Sequence, residues 1–65
     1  MKNNMSIHKE GILKFIKQNR VITSSELAHH TELSWNTAEK YLLELALEGK
    51  VEKIKKEGVN LWLLK

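Results

Sequence analysis

The chain has 65 residues, of which 11 are Lys or Arg and 8 are Asp or Glu, so it carries a net charge of +3 when its histidines are neutral. It has no cysteine, which excludes disulfide bonds and thiolate metal sites. The length predicts a single small domain over residues 1–65, with residues 1–5 as a flexible tail. No apolar run approaches the roughly 20 residues of a membrane-spanning helix, and we expect a soluble cytoplasmic protein.

The basic charge favours a polyanionic partner, and it is unevenly distributed. Residues 9–20 and residues 50–65 each carry a net charge of +3, whereas residues 34–48 carry −2. The three histidines have no carboxylates or thiols beside them at metal-ligand or catalytic spacing. We therefore expect no enzyme activity, no metal and no cofactor.

The first predicted helix begins at Ser6, a residue type that favours the N-cap position, and runs to about Gln18. Ile12, Phe15 and Ile16 fall on one face of this helix at helical spacing. This face is the one that we expect to contribute to a core.

The stretch TSSE predicts the start of a second helix because it has the pattern of a capping box. In this motif the Thr23 hydroxyl accepts a hydrogen bond from the Glu26 amide, and the Glu26 side chain accepts one from the Thr23 amide. Ile22 before the cap and Leu27 after it can form the hydrophobic staple that fixes how the chain enters the helix. We expect this short helix to end near Thr31.

The stretch TELSWNTAEKYLLELALEGK predicts a third helix over residues 34–48, with Ser34 as N-cap and Gly49 as a left-handed C-terminal residue. Only Glu32 and Leu33 separate it from the second helix, so the two helices must cross at a steep angle. One arc of the helical wheel is apolar and predicts the buried face: Ala38, Tyr41, Leu42, Leu45 and Ala46.

After the third helix the pattern changes to VEKIKKEGVNLWLLK, which has two runs rich in β-forming residues with Glu57-Gly58 between them. This pattern predicts an antiparallel hairpin over residues 51–64. The predicted fold class is mainly α with a small β-hairpin, an α+β arrangement in the order α-α-α-β-β.

Two helices joined by a tight turn, the second capped so that it projects, form a helix-turn-helix. With the hairpin, the segments TSSELAHHTELSWNTAEKYLLELALEGKVEKI and GVNLWLL resemble the winged helix-turn-helix domain of small bacterial and archaeal transcriptional regulators. The positions that carry the resemblance are a small residue in the second helix, the cap and apolar positions of the third, its terminal glycine and the residue that opens the wing: Ala28, Leu33, Ser34, Thr37, Ala38, Leu42, Leu45, Gly49 and Val51.

Two features depart from the pattern of this family. Glu32 occupies the turn position that is commonly glycine. If it takes a left-handed conformation, it carries a strain of about 1 kcal/mol; otherwise the turn differs slightly from that of the family. The third helix is acidic, whereas DNA-binding members usually carry more Arg and Lys in it.

The resemblance implies that the third helix enters the major groove and that its first residues face base edges. The implied base contacts are Trp35, Asn36, Glu39 and Lys40. Asn36 suits the paired hydrogen bonds of adenine, Lys40 suits guanine or a phosphate, and Glu39 can accept from the cytosine N4 amino group. Trp35 lies only about 60° from the buried arc, so contact with DNA and closure of the core both stay open.

Hydroxyl and ammonium groups near the same surface are the implied phosphate contacts: Ser25, Ser34, Thr37, Tyr41, Lys53, Lys55 and Lys56. The three wing lysines also suit a solvated hairpin, where they discourage edge-to-edge pairing, so this alternative stays open. Double-stranded DNA is the partner that the resemblance implies.

Leu43 and Leu47 lie four residues apart on the side of the third helix away from the buried arc. Two leucines in register there indicate a possible protein interface for a homodimer or a larger partner, and Leu61 and Leu63 of the wing would extend it. In the alternative interpretation, Leu47 packs under the first helix or the hairpin.

Two functional hypotheses follow from these patterns. The first is a sequence-specific double-stranded DNA-binding protein, a transcriptional regulator that reads the major groove with the helix 34–48 and holds phosphates with the wing 51–64. The alternative is a winged-helix protein–protein interaction module in a transcription, replication or modification complex. The acidic third helix and the leucine pair favour the alternative, whereas the basic wing favours DNA.

Overall fold

Three helices and three strands follow one another in the computed structural model, which describes residues 4–65 and the side chains from His8 onward. In chain order they are α1 (Asn4–Asn19), β1 (Val21–Thr23), α2 (Ser24–Thr31), α3 (Trp35–Leu47), β2 (Val51–Lys56) and β3 (Val59–Leu64). The predicted fold class, with three helices and a final antiparallel hairpin, is confirmed. The short strand β1 is an addition that the sequence pattern does not predict.

Helix α1 begins at Asn4, two residues before the predicted N-cap. Ser6 therefore lies inside the helix and is not its cap, and residues 1–3 of the predicted tail lie outside the described residues. The predicted inner face is confirmed for Ile12 and Ile16, which are fully buried, while Phe15 packs against the core from its edge.

Helix α2 begins at the predicted capping box and is followed by a left-handed Glu32, the first of the two conformations that the sequence left open. The Thr23 Oγ1 atom accepts from the Glu26 amide at 3.0 Å, and the Thr23 amide donates to Glu26 Oε1 at 2.9 Å. Helix α2 ends at Thr31, and Glu32 follows with a left-handed φ of 61°. This single left-handed residue turns the chain sharply enough for α3 to cross α2 after two further residues.

Both ends of α3 are closed by local hydrogen bonds. At the front, Ser34 Oγ accepts from the Thr37 amide at 3.2 Å, which confirms the predicted N-cap. At the rear, Gly49 has a φ of 79°, and the amides of Gly49 and Lys50 each donate at 3.0 Å to the carbonyls of Ala46 and Leu45. These two bonds form a Schellman motif, which ends the helix at Leu47.

The sheet has the strand order β1-β3-β2, and both pairings are antiparallel. The β2–β3 hairpin turns at Glu57 and Gly58, whose φ values of 53° and 82° are both positive, as a type I′ turn requires. In β1, Ile22 is paired with Trp62, and both side chains are buried. The strand β1 therefore ties the start of α2 to the central strand of the sheet.

The core lies between the inner face of the sheet and the three helices. Its buried apolar residues are Ile12, Ile16, Ile22, Leu27, Ala38, Leu42, Leu45, Val51 and Trp62. Of the predicted buried arc of α3, Ala38, Leu42 and Leu45 are fully buried, and Tyr41 and Ala46 pack at its edge. Across residues 4–65, none of the helices combines the length and apolar character that a membrane span requires.

Candidate nucleic-acid interface

The first turns of α3 present three large side chains to solvent. Trp35 keeps 49% of its surface exposed, and Asn36 and Lys40 are exposed as well. The structure therefore decides between the two interpretations of Trp35: it lies outside the core. Asn36 and Lys40 are four residues apart, so they lie one above the other on the same side of the helix.

A cleft of about 210 Å³ lies beside this surface, where the start of α2, the start of α3 and the tip of the wing meet. Ser25 and Trp35 line it on the helical side, and Val59 and Asn60 line it on the wing side. Of the predicted phosphate contacts, Ser25 and Ser34 are exposed, and Thr37 is half-buried with its hydroxyl oxygen accepting from Ser34 Oγ at 2.9 Å. The structure thus brings the starts of both helices and the wing tip to one surface.

A buried hydrogen-bond network fixes the wing to the helices behind this cleft. Ser24 is only 4% exposed, and its Oγ atom accepts from Trp62 Nε1 at 3.0 Å and donates to a carboxylate oxygen of Glu39. The Asn60 side-chain amide donates to the other Glu39 oxygen at 3.3 Å. These bonds connect α2, α3 and β3, so one serine and one carboxylate add to the shared core in holding the wing against α3.

This network changes the interpretation of Glu39. Each of its carboxylate oxygens accepts one hydrogen bond from within the chain, which directs the half-buried group towards the wing, while its contact with cytosine stays a prediction. We assign Glu39 a positioning role. The sequence analysis missed the partners Ser24, Asn60 and Trp62; the only signal for them is that Asn60 and Trp62 alternate with apolar residues along one strand.

The three wing lysines are exposed, but they do not share one face of the hairpin. Lys53 is opposite Trp62 and Lys55 is opposite Asn60, which places both on the sheet face that carries the network. Lys56 is opposite Val59 and lies on the other face, close to the turn. Lys53 and Lys55 are therefore the lysines on the same side of the sheet as α3.

Tyr41, another predicted phosphate contact, is half-buried and stacks on His8 of α1, with ring centroids 5.4 Å apart and an angle of 26° between the planes. His30 of α2 stacks in the same way on Phe15, at 4.0 Å and 12°. Both histidines thus pack against aromatic rings of neighbouring helices. Within residues 4–65 no group of three His, Asp or Glu side chains is arranged to hold a metal ion.

The rear half of α3 is acidic in sequence, but basic groups lie against its carboxylates. Lys9 Nζ lies 2.7 Å from Glu48 Oε2 and 3.4 Å from Glu44 Oε1, and Lys50 Nζ lies 3.7 Å from Glu48 Oε1. The hydrogen bond from Lys9 holds the pKa of Glu48 below its ordinary value, and the same bond raises the pKa of Lys9. These pairs offset much of the repulsion that the helix charge alone would exert on a phosphate backbone.

The leucine pair is on the surface, as predicted. Leu43 is 42% exposed and Leu47 is 88% exposed, so Leu47 does not pack under α1 or the hairpin. Leu61 and Leu63 lie on the sheet face away from Trp62 and from the core, because residues alternate between the two faces of a strand. The structure therefore assigns the α3 leucines and the wing leucines to different surfaces.

The crossing of α2 and α3, followed by a three-stranded sheet that ends in the β2–β3 hairpin, defines a winged-helix domain. The crystal structure of the Zalpha domain from Carassius auratus PKZ in complex with Z-DNA has this fold: it is similar to the present chain with a TM-score of 0.90, covering 97% of this chain and 100% of that one at 19% sequence identity. Residues 8–65 match the family described as FaeA-like protein, and the chain belongs to that family. No curated protein matches it.

Proposed function

We propose that this chain binds double-stranded DNA in a sequence-specific manner, as a small transcriptional regulator of the bacterial or archaeal kind. The observation that carries the proposal is the joint exposure of Trp35, Asn36 and Lys40 at the start of α3, beside the start of α2 and a lysine-rich wing. In this proposal the protein acts by binding alone, without catalysis, and meets its target in the cytoplasm.

The base contacts follow from the side chains that α3 leaves free. Asn36 offers the donor and acceptor pair that matches adenine, and Lys40, one turn further along, reaches guanine or a phosphate. Trp35 is large and apolar with one N–H donor, which suits thymine methyl groups or the edge of the sugar-phosphate backbone. Glu39 stays behind them and holds the wing through Asn60.

The phosphate contacts come from the elements around the cleft. Ser25 and Ser34 lie at the starts of α2 and α3, where free amides and the helix dipole attract anions. Lys53 and Lys55 lie on the sheet face that also carries Asn60. Lys56, Thr37 and Tyr41 stay predicted contacts of the same kind.

Two further observations support the proposal. The pairing of Glu44 and Glu48 with Lys9 lowers the repulsion that the acidic helix would otherwise exert. The Zalpha domain of PKZ, whose fold is similar, was crystallised in complex with Z-DNA. The likeness at 19% identity concerns the fold, so the choice of DNA form and sequence has to come from the residues of this chain.

Binding to DNA at two salt concentrations tests the proposal. A fluorescently labelled mixed-sequence duplex is titrated with the wild-type chain and with the triple variant Lys53/Lys55/Lys56→Ala. Each lost phosphate contact lowers the slope of log K against log salt by about 0.9. The matched control is Lys14/Lys17/Lys65→Ala, which removes the same amount of positive charge. These three lysines surround a depression at the open end of the hairpin, far from its turn.

The control decides what a positive result means. A loss in the wing variant that clearly exceeds the loss in the control supports a docked wing. Equal losses in the two variants would show only general attraction between a basic protein and DNA. Absence of binding by the folded wild-type chain at low salt contradicts the proposal.

Asn36 tests whether the binding is sequence-specific. After selection of a preferred duplex from a random pool, Asn36→Ala should relax the preference at one base position by about 1–3 kcal/mol. A uniform loss over all sequences would instead place Asn36 on the backbone.

A second candidate function is a protein–protein interaction module in a transcription, replication or modification complex. It is favoured by one observation, the exposure of Leu43 and Leu47 on the outward side of α3. In that case the folded chain does not bind DNA, and Leu47→Lys abolishes capture of its protein partner. Retained DNA binding by Leu47→Lys would leave the first proposal in place.

A further inference from the structure

The sheet has a second apolar face that the described helices do not cover. The residues opposite each other in neighbouring strands share a face, and this register places five apolar residues on the face away from Trp62: Val21, Ile54, Val59, Leu61 and Leu63. Val21, Ile54 and Val59 are 44%, 43% and 47% exposed, and the two leucines are half-buried. We call this surface the outer face; Thr23, Glu52 and Lys56 complete it.

The outer face departs from what a solvated sheet shows. Antiparallel sheets that meet water usually alternate apolar residues on the core side with polar residues on the solvent side. The central strand β3 instead carries Val59, Leu61 and Leu63 on the side opposite Trp62. A contiguous apolar patch flanked by polar residues, as Glu52 and Lys56 flank this one, is a candidate interaction surface.

We propose that a second copy of this chain covers the outer face, so that the two sheets pack face to face in a symmetric dimer. The choice of partner comes from the order of residues along β2, which on this face is Glu52, Ile54 and Lys56. The acidic and basic groups are about 13 Å apart along the strand, with the apolar residue midway between them. Two antiparallel copies of this strand therefore place the acidic group of each copy opposite the basic group of the other.

The complementarity selects one symmetry operator. The two-fold axis lies in the plane of the interface, runs perpendicular to the strands and passes through Ile54 and Leu61. It places each β2 antiparallel over the β2 of the other copy. Glu52 then faces the second copy's Lys56, and Lys56 faces its Glu52. In β3, Leu61 faces its own equivalent and Leu63 faces the second copy's Val59, so every pair contributed by β2 and β3 is either oppositely charged or apolar.

The exposed edge of β2 does not offer an equally good contact. Edge-to-edge pairing of two β2 strands about Ile54 would keep Glu52 opposite the second copy's Lys56, but it would also place Lys53 directly opposite the second copy's Lys55, and it would do so twice. Like charges in direct cross-strand register are destabilising, and edge lysines prevent this pairing in natural sheets. The complementary surface is therefore the face and not the edge.

The size of the surface predicts a dimer that dissociates on dilution. Two six-residue strands and β1 span about 20 Å by 10 Å, whereas a stable interface buries about 800 Å² on each partner. The groove between α1, β1 and α2, lined among others by Phe15, Val21 and His30, continues the patch beyond Val21. This inference goes beyond the proposed DNA binding and does not depend on it.

Sedimentation velocity tests the dimer on the full chain without DNA, from micromolar to millimolar concentration. The wild-type chain is expected to shift from monomer to dimer over this range. Glu52→Lys places lysine against lysine at two symmetric positions and should weaken dimerisation about tenfold, and Lys56→Glu should do the same. The double variant Glu52→Lys/Lys56→Glu restores both opposite-charge pairs and should recover the wild-type dissociation constant.

The variants keep the proposal falsifiable because all the substituted side chains are exposed. Circular dichroism checks that each variant folds, and Lys14→Glu on the exposed side of α1 is the charge-matched control that should leave dimerisation unchanged. A wild-type chain that stays monomeric over the whole range overturns the proposal, and so does a double variant as weak as the single ones. Since no DNA is present, failure here is distinguishable from failure of the proposed function.

Discussion

The two halves of α3 are held in place by different forces. The leading half, residues 35–41, is fixed from behind by neutral hydrogen-bond donors, since Glu39 accepts from Ser24 and Asn60. The trailing half with its C-cap residue, residues 42–48, is fixed by the ion pairs of Lys9 with Glu44 and Glu48 and by the Schellman motif at its end. The leading half leaves polar and aromatic side chains free for a ligand, and the trailing half leaves two leucines free.

The net charge of a helix is therefore a poor guide to the ligands that the helix can approach. The sequence gives −2 for residues 34–48, which argues against contact with a phosphate backbone. In the fold, the carboxylates of Glu44 and Glu48 face Lys9, and the carboxylate of Glu39 is directed at the wing. The charge that a ligand meets at the leading end is mainly that of Lys40.

The largest predicted effect concerns the core residue that supports both halves. Leu42 is fully buried, so Leu42→Ala should lower the free energy of unfolding by about 2–5 kcal/mol. Leu43→Ala, one residue further on and 42% exposed, should change it by no more than about 0.5 kcal/mol. Urea denaturation measures both values. Equal losses would show that Leu43 is as well packed as Leu42 and that the outward leucine surface does not exist.

The next effect is the loss of stability when the hydrogen-bond network behind the leading half of α3 is broken. Ser24→Ala removes the group that bridges Trp62 and Glu39, leaving a buried N–H and a carboxylate oxygen without that partner, and should cost about 1–3 kcal/mol of stability. Its neighbour Ser25 is exposed, so Ser25→Ala should be nearly neutral. Thermal and urea unfolding compare the two. A neutral Ser24→Ala would mean that the network does not hold the wing against α3.

A smaller effect of opposite sign is expected at the turn that sets the angle of α3. Glu32 has a φ of 61°, a conformation that glycine adopts without strain, so Glu32→Gly should stabilise the fold by up to about 1 kcal/mol. Lys40→Gly, at an exposed position inside α3, should destabilise it by about 1 kcal/mol. Urea midpoints of the two variants should therefore move in opposite directions. Destabilisation by both would show that the Glu32 side chain makes a stabilising contact.

The smallest effect concerns the trailing half and depends on pH. Because folding lowers the pKa of Glu48, its contribution to the free energy of unfolding is complete above its ordinary pKa of 4.5. That contribution is lost as the pH falls through the pKa of the folded state. Because the pKa of Lys9 is raised, its contribution is complete below 10.5 and is lost as pH rises through the folded value.

Melting temperatures of the wild type and Lys9→Met should accordingly differ most between these limits and converge towards acid and alkaline pH. Lys14→Met is the control, because Lys14 lies exposed on the same helix. A difference for Lys9→Met that stays constant across the pH range would contradict the ion-pair interpretation.

Those parts of the fold that local chemistry decides could be predicted from the sequence. The caps at Thr23 and Ser34 and the glycine that ends α3 each depend on neighbours within a few residues, whereas the conformation of Glu32 stayed open until the structure showed a φ of 61°. The strand β1 could not be predicted, because three residues carry no periodicity and become a strand only by pairing with β3 near the other end of the chain.

The candidate site likewise has features that the local sequence predicts and features that depend on distant residues. The exposure of Asn36 and Lys40 follows from the helical period, which also identified the outward leucines. Trp35 lies at the boundary of the apolar arc, where the wheel angle alone does not distinguish core from surface. The role of Glu39 depends on Ser24 and Asn60, which are 15 and 21 positions away in the sequence. Lys9 and Glu48 are 39 positions apart. No local sequence pattern can predict contacts over such separations.

The central position of β3 has a consequence for how the chain reaches its native state. Trp62, the bulkiest of the fully buried side chains, lies in the last strand of residues 4–65, and β1 has no pairing partner until that strand exists. During synthesis the helices leave the ribosome first, and their apolar faces lack the sheet until β3 has also emerged. The interval between the emergence of α3 and the emergence of Trp62 is therefore the period in which the nascent chain is most open to proteases and to aggregation.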